Sequence, residues 1–323
     1  MSEHQRLLLI APPNMSHSPA FNRAEALAKA MSASLYIVAF VYVDAFEMFD
    51  LIDVDIRKKA REDYLLKHRD WLEAQAQILR QRGFDVESEV IWIEHPLEKI
   101  FKYIRYFDVS LVIKGAHQES ALKRIFFTPL DWHLLRDCAV PVHLVVDARN
   151  PLPRKILATV DVLHDDVSTR QLNDLIINSA SKLASQCHAA LQVLAVYDWS
   201  ALYVSDVGVG KVPISVSPSY DERKEKFDIL AERHSITKNN RHFIAGSPIK
   251  AIAEYATKSA CDMLVMGTVT HRVFHKILGT TAESILYRPP CSVLAIKPVE
   301  LPGINGGTSD ALAAQPDVHH DPL

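Results

Sequence analysis

The chain is one pattern written twice, so the unit that must fold is about 150 residues long rather than 323. The apolar run Leu7–Ala11 (LLLIA) leads into polar residues and then helical spacing at Ala24, Leu27, Ala28 and Met31. The same sequence of events returns at Ile156–Val160 (ILATV), followed by Asp161 and by Leu172, Leu175, Ile176, Ala180 and Leu183. The halves stay in step: Leu35–Val41 matches Leu191–Tyr197, and Asp108–Gly115 matches Asp262–Gly267. Helix openings with Pro in the first turn match at Pro96 and Pro248, and Val140–Val146 matches Cys291–Lys297.

Each half reads as five short apolar runs separated by helical patterns. Continuous rather than alternating apolar strands belong to a parallel sheet covered on both faces, and the intervening helices imply right-handed crossovers. The expected fold is therefore α/β: two tandem, doubly wound, five-stranded parallel-sheet domains. The longest helix runs from about Ile56 to Arg82 with Tyr64, Leu65, His68, Leu72, Ala76 and Leu79 on one face, and Gly83 is its stop. The expected division is domain 1 over 1–147, a linker over 148–155, domain 2 over 156–300 and a disordered tail over 301–323. Two apolar loops, 44–55 and 198–220, are long for a compact domain, which is a mark of function or disorder.

Composition narrows the function classes. With 48% hydrophobic and 23% charged residues and a net charge of -3, the chain reads as a soluble globular protein without a dedicated nucleic-acid surface. No apolar stretch is long enough to span a bilayer or to act as a signal peptide, and four scattered cysteines form no CxxC pair; the expected compartment is the cytoplasm.

In an open parallel sheet the ligand sits beyond the carboxyl ends of the strands, where strand order reverses. Those positions in the second half are Asp161 and the run from Gly267, which lets the chain turn sharply, to Gly279-Thr280-Thr281-Ala282-Glu283. A glycine and two hydroxyls at a helix start suit an anion, and they also suit a plain N-cap. His271 and His275 are spaced as a helical metal pair, and His319-His320-Asp321 could take metal from solution, but the simpler reading is solvated imidazoles and no metal site. Trp132-His133, between Asp131 and Arg136, reads as a structural polar cluster. No nucleophile elbow, HExxH or phosphate-loop motif occurs, Cys261 and Cys291 read as inert core thiols, and no catalytic residue is assigned.

The two-fold repeat, the phrase Gly267 … Gly279-Thr280-Thr281-Ala282-Glu283 and the closing Val293–Pro298 resemble the universal stress protein family. Phe127–Cys138 resembles a signature of its tandem, E-type branch in gamma-proteobacteria, and the likeness runs from about residue 5 to 299. The resemblance implies an adenine nucleotide alpha hydrolase-like fold, a pseudo-dimer with the two fifth strands paired, and a further dimer of chains. ATP-binding members carry Gly-x2-Gly-x9-Gly-Ser/Thr and an acidic residue after the first strand. Carried over, this implies Asp161, Gly267, Gly279, Thr280 and Thr281 as nucleotide-binding residues for ATP or AMP, with Mg if bound. Thr270 replaces the second glycine, and eight rather than nine residues separate it from Gly279. In the first half Gln118, Thr128-Pro129 and Pro12-Pro13-Asn14 replace the corresponding features, so that half reads as a non-nucleotide half. The expected function is a non-enzymatic stress-response protein, supporting survival under stress such as DNA damage by binding a small ligand or partner. Two alternatives stand beside it: a weak nucleotide hydrolase at the second loop, and a binder of an apolar, lipid-like ligand.

Overall fold

The computed structural model describes residues 5–45, 54–119, 124–146, 149–198, 219–270, 277–278 and 280–297, with the backbone alone described at 117–119, 124–126, 269–270, 277–278 and 280. In the first unit the strands are β1 (Arg6–Ala11), β2 (Ser34–Val41), β3 (Val86–Trp92), β4 (Val109–Gly115) and, after a short ribbon of β5 (His117–Glu119) and β6 (Arg124–Phe126), β7 (Val142–Val145). The helices between them are α1 (Pro19–Met31), α2 (Val54–Gln81), α3 (Leu97–Tyr106) and α4 (Pro129–Asp137). The second unit repeats the order: β8 (Lys155–Val160), α5 (Val167–Cys187), β9 (Ala190–Tyr197), α6 (Tyr220–Arg233), β10 (Arg241–Ala245), α7 (Pro248–Lys258), β11 (Met263–Gly267), a ribbon of β12 (Val269–Thr270) and β13 (Ile277–Leu278), α8 (Thr280–Tyr287) and β14 (Ser292–Ile296). The duplication reaches single backbone angles. Ser32 and His188, which end α1 and α5, are both left-handed, as are Asp108 and Ala260 before β4 and β11.

Strands and helices assemble as the apolar runs require. One ten-stranded sheet has the order β10-β9-β8-β11-β14-β7-β4-β1-β2-β3, parallel within each unit. Every residue of β2 is buried, and so are five of the six in β1, because helices cover both faces. Leu7 and Leu9 point into one core layer with Leu27, Leu72, Ile176 and Phe227 from α1, α2, α5 and α6. Leu8 and Ile10 point into the other with Ile100, Leu134, Ile252 and Ile285 from α3, α4, α7 and α8. Both layers run through both units. The long helix stops as expected, with Gly83 left-handed at φ +87° and Phe84 N donating to the Leu79 carbonyl. Among the described residues no helix is long and apolar enough to cross a membrane.

Three details differ from the sequence reading. The loop expected over 44–55 gives way to α2 at Val54, and that over 198–220 gives way to α6 at Tyr220, capped by Ser219 accepting from Glu222 N. Their remaining residues, 46–53 and 199–218, and the tail 301–323 lie outside the described residues. The two small ribbons were not anticipated, since strands of two or three residues are too short to show a period.

The units meet where β7 and β14 pair antiparallel, with His143 opposite Leu294. His143 is fully buried and its Nδ1 donates to the Val293 carbonyl at 3.0 Å. Burial, reinforced by the Arg23 charge, pushes its imidazole down to about 3 against an upward pull from that hydrogen bond. The ring is neutral, with its proton on Nδ1.

On the other side of the linker, Asn150 Nδ2 donates to Asp262 Oδ1 at 2.8 Å, and the amides of Arg154 and Lys155 donate to Oδ2 at 2.8 and 3.0 Å. Buried Arg23, from α1, donates to the Asn150 carbonyl at 3.1 Å. Burial alone would raise the Asp262 carboxyl; these donors and the Arg23 charge outweigh it and hold it below the usual range.

His143 gives the seam a pH dependence of known sign. An unfolded histidine titrates near pH 6.5, so below that pH the unfolded chain takes up a proton that the folded chain refuses, and the stability this residue supplies above that pH is lost as pH falls. Between pH 6.5 and 5 the loss is about 1.5–2 kcal/mol. Urea unfolding at the two pH values is expected to show this extra drop in the wild type relative to His143→Gln; parallel losses in the two proteins would refute the assignment.

Candidate functional site

Strand order reverses at β1/β4 in the first unit and at β8/β11 in the second, and both points open at the carboxyl ends of the strands. In the second unit Val265 is level with Ala158, so Gly267 and Asp161 leave neighbouring strands at the same end of the sheet. Asp161 is held by the helix behind it. Buried Asn173 of α5 accepts from Asp161 N at 3.0 Å and donates to its carbonyl at 2.6 Å. The Asp161 carboxylate turns back on its own loop, accepting from Leu163 N at 2.8 Å, His164 N at 3.2 Å and His164 Nδ1 at 2.7 Å, and stays partly exposed.

The following helix is polar at its start. Asp166 caps α5 by accepting from Thr169 N at 2.9 Å, and bonds from Ser168 and Thr169 hold its carboxyl far below the usual range. Lys226 and Arg170 hold Asp165 low in the same way. Arg223 of α6 donates to the Val162 carbonyl at 2.8 Å, which ties the loop to a second helix.

Gly267 is needed for a reason other than a turn. Its φ is not left-handed; a Cβ there would lie 2.7 Å from Leu172 Cδ2 and 3.2 Å from Cγ, so the glycine lets α5 lie close against β11. Thr270, which replaces the second glycine, sits in the extended β12, level with Ile277. That backbone suits a β-branched residue. Thr281 lies in the first turn of α8, partly buried, and Thr280 begins the helix. Gly279 and the Thr280 side chain lie outside the described residues, as do His271, His275, His319, His320 and Asp321. Among the described residues no group of three His, Cys, Asp or Glu is placed to hold a metal.

The same place in the first unit is filled by the protein itself. Asp131, fully buried in the first turn of α4, accepts from Thr128 N and Thr128 Oγ1 at 2.7 and 2.8 Å, and its other oxygen is 2.8 Å from Lys114 Nζ at the end of β4. An internal carboxylate thus takes the helix N-terminus, with a lysine beside it. Nearby, Pro12-Pro13-Asn14 is closed down by buried His68 of α2, whose Nε2 is 2.9 Å from the Pro13 carbonyl. His133 contacts Arg136 Nη2 at 2.7 Å on the surface of α4, a structural contact as expected.

Superposing the repeats in sequence shows what the second unit has changed. Gly115 and Gly267 end matching strands, and Leu134-Leu135 and Ile285-Leu286 are the matching buried pairs of α4 and α8. In that register Lys114 corresponds to Met266 and Asp131 to Ala282, both buried. The ion pair has become a methionine and an alanine. Glu283, the acid of the first turn of α8, stands one position further on.

Two open clefts, of about 730 and 830 Å³, lie at the opposite end of the sheet beside the linker and share Ala26, Lys29 and Pro151. The C-terminal ends of α1 and α5 face that end, which disfavours an anion there.

The Universal stress protein family profile matches residues 5–146 and 154–297. The chain belongs to the universal stress protein family. Universal stress protein E of Escherichia coli (strain K12) is 28% identical over 306 residues, which cover 92% of this chain and 95% of that one. Among solved structures, a functionally unknown protein from Pseudomonas aeruginosa PAO1 has a TM-score of 0.70 at 24% identity, over 92% of this chain and 94% of its own. A universal stress protein from Archaeoglobus fulgidus DSM 4304 has a TM-score of 0.64 at 20% identity, over 90% and 98%. These structural likenesses bear on the fold: two tandem family units with a mostly parallel sheet.

Sequence reasoning missed Asn173, Lys114, Thr268 and Lys297. Lys114 carried a visible signal, a lone charge at the end of the apolar run LVIK.

Two stability predictions follow from the packing. Lys114→Met leaves the buried Asp131 carboxylate unpaired and is expected to cost about 3–5 kcal/mol, whereas Lys114→Met with Asp131→Ala, which copies the second unit, costs less than that single change. Strictly additive costs in urea unfolding would contradict this. Gly267→Val overpacks against Leu172 and is expected to cost about 1–3 kcal/mol, part of it recovered by Leu172→Ala in the same chain; no recovery would mean that Leu172 is not what the glycine accommodates.

Proposed function

We propose that the protein is a non-catalytic stress-response protein whose second unit takes a phosphate-bearing small ligand, an adenine nucleotide, at the strand ends of β8 and β11. The observation that carries this reading is the exchange of Lys114 and Asp131 for Met266 and Ala282. In the first unit an internal carboxylate closes the helix N-terminus by accepting from the Thr128 amide and hydroxyl. In the second, alanine stands at that position and the helix begins Thr280-Thr281, residue types whose amides and hydroxyls suit an external anion. Gly267, Gly279, Thr280 and Thr281 are assigned to the phosphates of ATP or AMP. Asp161 is assigned to the sugar end or to a bound Mg ion, and must then release His164.

The absence of catalysis is supported by the thiols. Burial pushes Cys187 and Cys261 up to about 11 and Cys291 to about 12, and raises Cys138 as well, so these four are protonated core side chains. The ligand then acts by changing the lifetime or partners of the protein in the cytoplasm, supporting survival under stress such as DNA damage. Because β7 and β14 already pair, any dimer of chains uses other surfaces.

Native mass spectrometry of freshly purified protein, followed by titration calorimetry with ATP and AMP with and without Mg, tests the assignment. Binding is expected, weakened about tenfold or more by Asp161→Ala or Gly279→Val, each tenfold being ~1.4 kcal/mol. No heat at millimolar nucleotide would sink the ligand; binding unchanged in both variants would sink the site.

A further inference from the structure

We infer that the first unit holds the carboxyl end of β11 in place at the second unit's ligand site, with Thr268 as a positioning residue anchored across the seam on α4; this rests on the reading of the second unit as the ligand-binding one. Thr268 follows Gly267 directly and is fully buried. Its amide donates to the Ile296 carbonyl at 3.3 Å, and its hydroxyl donates to the Leu135 carbonyl at 3.1 Å, 133 residues away in the other unit. Lys297, just past β14, makes the same crossing: its Nζ donates to the Cys138 carbonyl at 2.8 Å and the Leu134 carbonyl at 3.4 Å.

These acceptors lie in and just after the last turn of α4, where a cation is favoured; the Leu134 carbonyl also accepts from Cys138 N at 3.1 Å. The other end of α4 is fixed by Asp131, Thr128 and Lys114. One short helix of the first unit is therefore held at its start by its own unit and at its end by the second.

The repeat supplies the control. Ala116 corresponds to Thr268 and Val146 to Lys297, and Ala116 N donates to the Val145 carbonyl at 2.8 Å as Thr268 N does to that of Ile296. The backbone register is the same, but alanine and valine have no side-chain donor, so among the described residues these two positions send no side-chain hydrogen bond to α8. The crossing fixes the end of β11 beside the strand ends assigned to the ligand, and a site whose frame is already fixed has less ordering to lose on binding.

Hydrogen–deuterium exchange on the ligand-free full chain tests the anchor independently of binding. Thr268→Val is expected to speed exchange about tenfold both at 266–270 and at 134–138, Thr268→Ser to keep wild-type exchange, and Lys297→Met to speed 134–138 alone, a tenfold change being ~1.4 kcal/mol of opening. Unchanged exchange at 134–138 in both Thr268→Val and Lys297→Met overturns the anchor. ATP titration then reads its purpose: Thr268→Val should bind about tenfold more weakly and Thr268→Ser like wild type, and wild-type affinity in the valine variant overturns the positioning role. If wild-type protein binds no nucleotide while exchange responds as expected, the ligand reading falls and the anchor stands.

Discussion

Everything in this molecule is arranged around the antiparallel pairing of β7 with β14. A five-stranded unit on its own would end in an exposed strand with a row of unpaired amides and carbonyls, a site for uncontrolled association. Joining the two fifth strands removes both such edges at once and lets each core layer run unbroken from one unit to the next. The polar contacts between units flank this seam. On one side Arg23, Asn150 and Asp262 fasten the linker; on the other Thr268 and Lys297 close the end of α4; and His143 sits, neutral, at the crossing point.

The same backbone carries two different electrostatic solutions at its helix N-termini. In the first unit the charge is internal, a buried carboxylate matched by a partly buried lysine. Such a pair adds little net stability over an apolar replacement, but neither partner can be removed without stranding the other. In the second unit Met266 and Ala282 stand at those two positions and carry the apolar core up to the helix start.

Much of the fold was legible in the chain because it rests on signals that repeat. Apolar runs such as LLLIA and ILATV are long enough to be strands, the long helix shows its spacing from Tyr64 to Leu79, about four turns, and the resemblance to the family supplied the pairing of the fifth strands. The site was less legible. Gly267 stood out, but what requires it is the Leu172 side chain, which becomes its neighbour only when α5 folds onto β11. Thr268, Lys297 and Asn173 are single polar residues without periodicity. Their partners are 133, 159 and 12 residues away, and no local pattern marks them. Asp131 was noticed as part of a polar cluster, yet its partner Lys114 reads in sequence as the end of a strand.

The one-sided contact from Thr268 to α4 has a bearing on why two units share a chain. In a symmetric pair of identical subunits every contact across the axis appears twice, so a residue recruited to steady the neighbour's helix also changes the mate of that helix. Covalent fusion lifts this restriction. Each half can drift separately, one toward a closed and self-sufficient scaffold and the other toward an adaptable surface, and the halves are then no longer interchangeable: a change in the scaffold half can be felt at a surface to which it contributes no residue.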